Sequence, residues 1–168
     1  VAHYNSQVEK FFGKMPDSLD DYVIASQIAQ AEGLKYMVEL FRIRKGEASG
    51  VIWWNIMDGW AQMSDALVDY YFQKKLVFYY LKRTHSSVSV MIQEKENVLK
   101  VIAVNDSLKE QKGTFKITDA DSGKCVLQNF FTLEKNGKTE CGSFSSPVSG
   151  NHLFLIEWEC EGKRGCNH

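Results

Sequence analysis

The stretch Gly50-Val51-Ile52-Trp53-Trp54-Asn55-Ile56-Met57-Asp58-Gly59-Trp60-Ala61-Gln62-Met63-Ser64 decides how this 168-residue chain is read. From Val51 to Ile56 it is short, β-prone and apolar on both parities, which predicts a strand buried on both faces, as in a parallel sheet. Asp58-Gly59 is a turn signal directly behind it. On the N-terminal side, Ser18 is a good N-cap with Asp20 and Asp21 in the first turn. Ile24, Ile28, Ala31, Leu34, Val38 and Phe41 then form one apolar helical stripe. Arg42, Arg44 and Lys45 fill its last turn and Gly46 is its stop. Gly33, inside the helix, offers room for another backbone. On the C-terminal side a second helix is predicted over about 74–82. Helix, buried strand, loop, helix is the repeating unit of an α/β barrel or a doubly wound sheet.

Beyond a boundary at about 84–87 the period changes. Val88, Val90 and Ile92 alternate with Ser89, Met91 and Gln93; Phe115 and Ile117 with Thr114, Lys116 and Thr118; Phe154, Ile156, Trp158 and Cys160 with Leu155, Glu157 and Glu159. Turn signals stand between them at Asn105-Asp106, Asp121-Ser122-Gly123, Asn136-Gly137 and Ser149-Gly150-Asn151. Short strands at this spacing predict an antiparallel sandwich of immunoglobulin-like size. Aromatic residues follow the same division, fifteen of the 21 preceding residue 85.

Composition narrows the rest. With 44% hydrophobic and 24% charged residues the chain is globular. A net charge of −1 gives no electrostatic pull toward nucleic acid or an anionic membrane. No apolar run approaches a membrane span, and Val1-Ala2-His3-Tyr4 has neither the n-region nor the h-region of a secretory signal. The chain lacks an initiator Met, so it is expected to be processed or a piece of something longer. Cys125, Cys141, Cys160 and Cys166 read as separate thiols, with a Cys160–Cys166 bridge as the alternative. A zinc site drawn from Cys160, Cys166, His168 and His152 lacks close-paired ligand spacing, so no metal or cofactor is expected. Tyr70-Tyr71 and Tyr79-Tyr80 read as packing or as exposed platforms, Asn105-Asp106-Ser107 as a glycosylation triplet, and 109–112 as a solvated loop.

The opening stretch, continued by Val68-Asp69-Tyr70-Tyr71 and Tyr79-Tyr80-Leu81-Lys82-Arg83, resembles the last barrel strand and following loop of glycoside hydrolase family 2, in its β-mannosidase and exo-β-glucosaminidase branch. Trp54, Asp58, Trp60, Ser64, Asp69, Tyr70, Lys82 and Arg83 carry the match. Asn55, Met57, Ala61 and Asp65 depart from the family's usual Gln, Asn, Pro and Trp. Leu19-Asp20-Asp21-Tyr22 resembles the helix before that strand. Val101, Val104, Asn105, Asp106 and Gly113 resemble the immunoglobulin-like domain behind the barrel.

The resemblance implies a fold of two parts: residues 1–84 as the terminal strand and helices of a (β/α)8 barrel, and 85–168 as an immunoglobulin-like β-sandwich. It also implies a retaining exo-β-glycosidase as parent, whose two catalytic Glu side chains lie earlier. Glu9, Glu32, Glu39 and Glu47 follow no strand-like run, so no catalytic residue is expected here and the chain alone should be inactive. What the resemblance leaves to this chain is one wall of a site for a terminal β-linked sugar, from Trp54, Asn55, Asp58 and Trp60. Asp58 reads equally as an anchor of its own loop and Trp60 as its plug; Asp69 reads as a holder of backbone donors. Trp53, of opposite parity, should pack against the helices. The alternative is a non-catalytic carbohydrate-binding or interaction module. A strand at 51–56 with open edges also predicts self-association.

Overall fold

The computed structural model describes residues 2–147 and 151–168; the turn expected at Ser149-Gly150-Asn151 lies in part outside them. The chain divides into two compact units, one of Val1–Val38 with Gly50–Lys82 and the other of Glu39–Ser49 with Arg83–His168.

The first unit holds α1 (Ala2–Phe12), most of α2 (Leu19–Ile43) and most of α3 (Leu76–Thr84). Ser18 caps α2 as its sequence predicts: the Asp21 amide donates to Ser18 Oγ at 3.1 Å, and Ser18 Oγ donates to Asp21 Oδ2 at 2.7 Å. Gln27 of α2 caps α3, its Oε1 accepting the Leu76 amide at 3.0 Å. Ala31, Val38, Leu67, Val77 and Leu81 form the core of this unit, with Leu34, Val51, Trp53, Val68, Leu76 and Tyr80 packed on it. Ile24, at the start of the expected stripe, is exposed. Gly33 faces open space, and no backbone of the described residues comes within 4 Å of where its Cβ would be.

The strand expected at 51–56 does not form. Such a strand needs ladder partners on both edges, and among the described residues its end has only a short pairing. Ile56 O accepts the Leu67 and Val68 amides at 3.1 and 3.0 Å, and Met57 bridges Val68. The alternation survives nonetheless. Val51 and Trp53 pack on the core, whereas Ile52 and Trp54 stand 98% and 85% exposed. One parity is covered and the other is bare.

The second unit contains two antiparallel sheets, β1-β2-β5 and β4-β3-β6-β7. The strands are β1 (Val88–Lys95), β2 (Val98–Asn105), β3 (Gln111–Asp119), β4 (Cys125–Leu133), β5 (Lys138–Ser145), β6 (Phe154–Cys160) and β7 (Lys163–Asn167). The segment 109–112, expected as a loop, therefore ends inside β3. Val90, Val101 and Ala103 from the first sheet share one core with Phe115, Ile117, Phe131, Ile156, Trp158 and Cys160 from the second. Two-residue turns at Glu96-Asn97 and Glu161-Gly162, both residues of each at positive φ, join β1 to β2 and β6 to β7. The opposite face of β1-β2-β5 is covered as well: Met91, Ile102 and Val104 pack with Ile43 of α2. The end of α2 is fastened there by Arg42, whose guanidinium pairs with Asp106 at 2.9 Å and donates to Ser86 O at 2.8 Å. Lys138 Nζ donates to Ile43 O at 2.8 Å, where a cation meets the negative end of the helix.

Candidate functional site

Trp54, Asn55, Asp58 and Trp60 all lie in the first unit, on the irregular segment between α2 and α3. They divide by burial. Trp54 and Trp60 are exposed, Trp60 at 67%, and Asn55 is half-buried, whereas Asp58 is only 2% exposed.

A buried carboxylate must be hydrogen-bonded or paired, and Asp58 is both. Its Oδ1 accepts from Gln62 Nε2 at 3.0 Å and from Ser64 Oγ, and its Oδ2 faces Lys75 Nζ at 3.2 Å. Burial alone would raise this carboxyl; the bonds from Ser64, Gln62 and Lys75, with the Lys75 charge, outweigh it and hold the group below the usual carboxylate range. Lys75 Nζ also donates to Ser64 O at 3.0 Å. The Asp58 amide donates to Val68 O at 3.1 Å, and the Lys75 amide to Leu67 O at 3.0 Å. Of its two sequence readings, sugar contact and loop anchor, Asp58 has the geometry of the anchor.

Asp69 holds backbone donors as expected, its Oδ1 accepting the Tyr71 and Gln73 amides at 2.8 Å each. That turn leaves Tyr70, Tyr71 and Phe72 exposed, the two tyrosine rings edge to face at 5.3 Å. Tyr80 packs on the core and Tyr79 is exposed. Outside the segment, Tyr4 of α1 hydrogen-bonds Asp65, and burial together with that carboxylate raises its phenol. Gln30 Nε2 donates to Asp65 O at 2.7 Å.

Lys75 and Gln62 were not legible as site residues, because nothing in Lys74-Lys75 says which lysine turns inward. The remaining candidates do not gather into a site. No group of three or more His, Cys, Asp or Glu side chains could hold a metal among the described residues. The four cysteines are free thiols, Cys141 and Cys160 buried, Cys125 and Cys166 exposed. Burial raises the Cys160 thiol, which donates to Gln111 Oε1 at 3.1 Å. Of the upstream glutamates, Glu39 is buried and accepts from Asn167 Nδ2 at 2.7 Å, and Glu47 pairs with Arg44 at 3.5 Å.

No family model matches the chain. Among curated proteins, the β-mannosidase B of Thermothelomyces thermophilus is 30% identical over 91 residues, covering 49% of this chain and 10% of that protein. The exo-β-D-glucosaminidase of Arthroderma benhamiae is 29% identical over 94 residues, covering 54% of this chain and 10% of that protein. The crystal structure of the β-D-mannosidase from Dictyoglomus thermophilum superposes with a TM-score of 0.78 at 25% identity, over 91% of this chain and 20% of that one. The chain thus spans about a tenth of the length of the curated relatives it matches. On sequence and fold together, it resembles the C-terminal part of glycoside hydrolase family 2 proteins of the β-mannosidase and exo-β-glucosaminidase kind.

Proposed function

We propose that the chain serves as the C-terminal part of a retaining exo-β-glycosidase that removes terminal β-linked mannose or glucosamine. Residues 1–84 close its (β/α)8 barrel and 85–168 form an immunoglobulin-like sandwich, a reading supported by the strand orders β1-β2-β5 and β3-β6-β7 among the described residues, which correspond to A-B-E and C-F-G. The acid/base and nucleophile, two carboxyls about 5–5.5 Å apart in a retaining enzyme, belong to a preceding part of the barrel. This chain supplies a wall: the Trp54 indole stacks on the apolar face of the sugar ring, Asn55 offers an amide to a hydroxyl, and Trp60 flanks them above the Asp58 anchor.

The observation that carries this reading is the bare parity of the segment 51–56. Ile52, Trp54 and Ile56 expose an apolar face while Val51 and Trp53 pack inward. A barrel interior or a sugar ring is what such a face would meet.

Incubated alone with aryl β-mannoside and aryl β-glucosaminide, the chain should release no aglycone, and turnover would overturn the assignment. Within a longer protein carrying both carboxyls, Trp54→Ala should raise KM about five- to tenfold, the size of one lost aromatic stack; an unchanged KM would remove Trp54 from the wall. A second reading, a non-catalytic carbohydrate-binding module, is favoured by the exposure of Trp54, Trp60 and Tyr71. It expects saturable tryptophan emission changes with oligosaccharides in the chain by itself. The same bare face also supports self-association through 51–56.

A further inference from the structure

Around the Asp58 carboxylate the usual order of burial is inverted, while Ala66 and Leu67 of the same segment, between Asp58 and Lys75, are buried in the ordinary way. A connection shaped by stability alone hides its aromatic residues and leaves its charges in water. Here the Asp58 carboxylate is 2% exposed, its Lys75 partner is mostly covered, and Trp60, Met63, Tyr71 and Phe72 stand in solvent. Such inversions persist where a site needs a fixed geometry more than the protein needs the burial.

We propose that Lys75, Ser64 and Gln62 are positioning residues: acting through Asp58, they hold the segment so that Trp60 is presented to a ligand, and they touch no ligand themselves. The Gln62–Asp58 bond of 3.0 Å closes a short arc with Trp60 at its midpoint. Ser64 Oγ joins the same carboxylate oxygen and accepts the Ala66 amide at 3.1 Å, fixing the next bend. Lys75 closes the far end, its Nζ reaching Asp58 Oδ2 at 3.2 Å, Ser64 O at 3.0 Å and Ser64 Oγ at 3.3 Å. Those three acceptors match the three protons of an ammonium group, and both carboxylate oxygens are engaged. The Asp58 carboxylate and the Lys75 ammonium are thus spent within the clasp rather than on a sugar hydroxyl. The ligand class, a terminal β-linked sugar, rests on the proposed function; the clasp does not.

The test is 19F NMR of the whole chain labelled with 5-fluorotryptophan, with the Trp60 line assigned through Trp60→Phe. Lys75→Met should shift or broaden that line and leave the line of Trp158, in the other unit, in place. Lys75→Arg, which keeps the charge, should bring it back. Gln62→Ala, which removes one neutral donor, should move the Trp60 line in a chain that stays folded, and it decides the matter if Lys75→Met loses every dispersed line. Within a longer protein carrying both carboxyls, titration with methyl β-mannoside and methyl β-glucosaminide should move the Trp54 and Trp60 lines. The affinity should fall about tenfold in Lys75→Met and recover in Lys75→Arg. A Trp60 line unmoved by Lys75→Met and Gln62→Ala overturns the proposal. So does a moved line with unaltered sugar affinity, because the clasp is then merely structural. If neither glycoside moves any line in that longer protein while the Trp60 line follows Lys75, the sugar reading fails and the positioning of Trp60 by the clasp stands.

Discussion

Asn105 opens the triplet Asn105-Asp106-Ser107, yet its amide is spent inside the fold. Fully buried, it donates from Nδ2 to Lys109 O at 2.8 Å and Glu134 O at 2.9 Å, and its Oδ1 accepts the Ser107 amide at 2.9 Å. A glycan needs that nitrogen free, so passage through a secretory route should add no mass at this site; an increment abolished by Asn105→Gln would contradict the reading. Asn105→Ala removes those three hydrogen bonds made by a fully buried side chain and should cost about 1 kcal/mol for each bond lost, read by urea unfolding. Gly113 is as constrained for a steric reason. A Cβ there would lie 2.3 Å from Glu159 O and 2.6 Å from the Phe131 ring, and backbone cannot yield as a side chain does. Gly113→Ala should destabilise the sandwich by at least about 1–3 kcal/mol, with urea unfolding followed by Trp158 emission. Asp58 makes a prediction in pH. Its folded carboxyl lies below the ordinary range, so its stabilisation is present above the unfolded value of about 3.9 and lost as pH falls through the folded one. Acid titration of the first unit, followed by the 19F lines of Trp53 and Trp60, should show a transition below about pH 4 that flattens in Asp58→Asn.

At the scale of elements, what was legible followed what was covered. β1, β3 and β6 alternate because each turns one face to the shared core, and α2 announces its start through Ser18. β4, β5 and β7 carry many exposed polar residues, so hydrophobic alternation has little to mark. α1 buries only Val8, too sparse a stripe to be read. The segment 51–56 carries the composition of a doubly buried strand, but the ladder that would make it one is not among the described residues. Periodicity also cannot say which body covers which turn of a helix. Glu39–Ser49 folds with the sandwich, and Arg42 and Lys45, read as ordinary helix-end cations, meet Asp106 there. In the site, the motif showed Trp54, Asp58 and Trp60 but not the inward turn of Lys75, which depends on where Asp58 and Ser64 come to rest. The α2 end yields its own test. Ile43 is 5% exposed and packed against Met91, Ile102 and Val104, so Ile43→Ala should cost about 2–5 kcal/mol in urea unfolding of the second unit. A cost near zero would mean the sheet face does not need that helix turn.

For the molecule as a whole, the large exposed apolar side chains are unevenly shared. Ile52, Trp54, Ile56, Met57, Trp60, Met63, Tyr71 and Phe72 fall within one short stretch of the first unit. Scattered exposed apolar residues need no explanation, but a concentration of them marks a surface that meets something. A net charge of −1 supplies little repulsion to keep copies apart. The segment 51–56 belongs to no strand ladder among the described residues, and a bare apolar face on such a segment favours pairing with a second copy. Sedimentation velocity should therefore show weight-average mass rising with concentration. Ile52→Lys with Trp54→Lys should return the chain to a monomer, because two cations on the bare parity would have to be desolvated in any pairing. Trp53, packed inward, should be no part of that interface, and its 19F line should not change on dilution. A parent chain that remains monomeric at every concentration would show that the bare face is satisfied by water alone, and would weigh against both the self-association and the barrel-interior reading of the same residues.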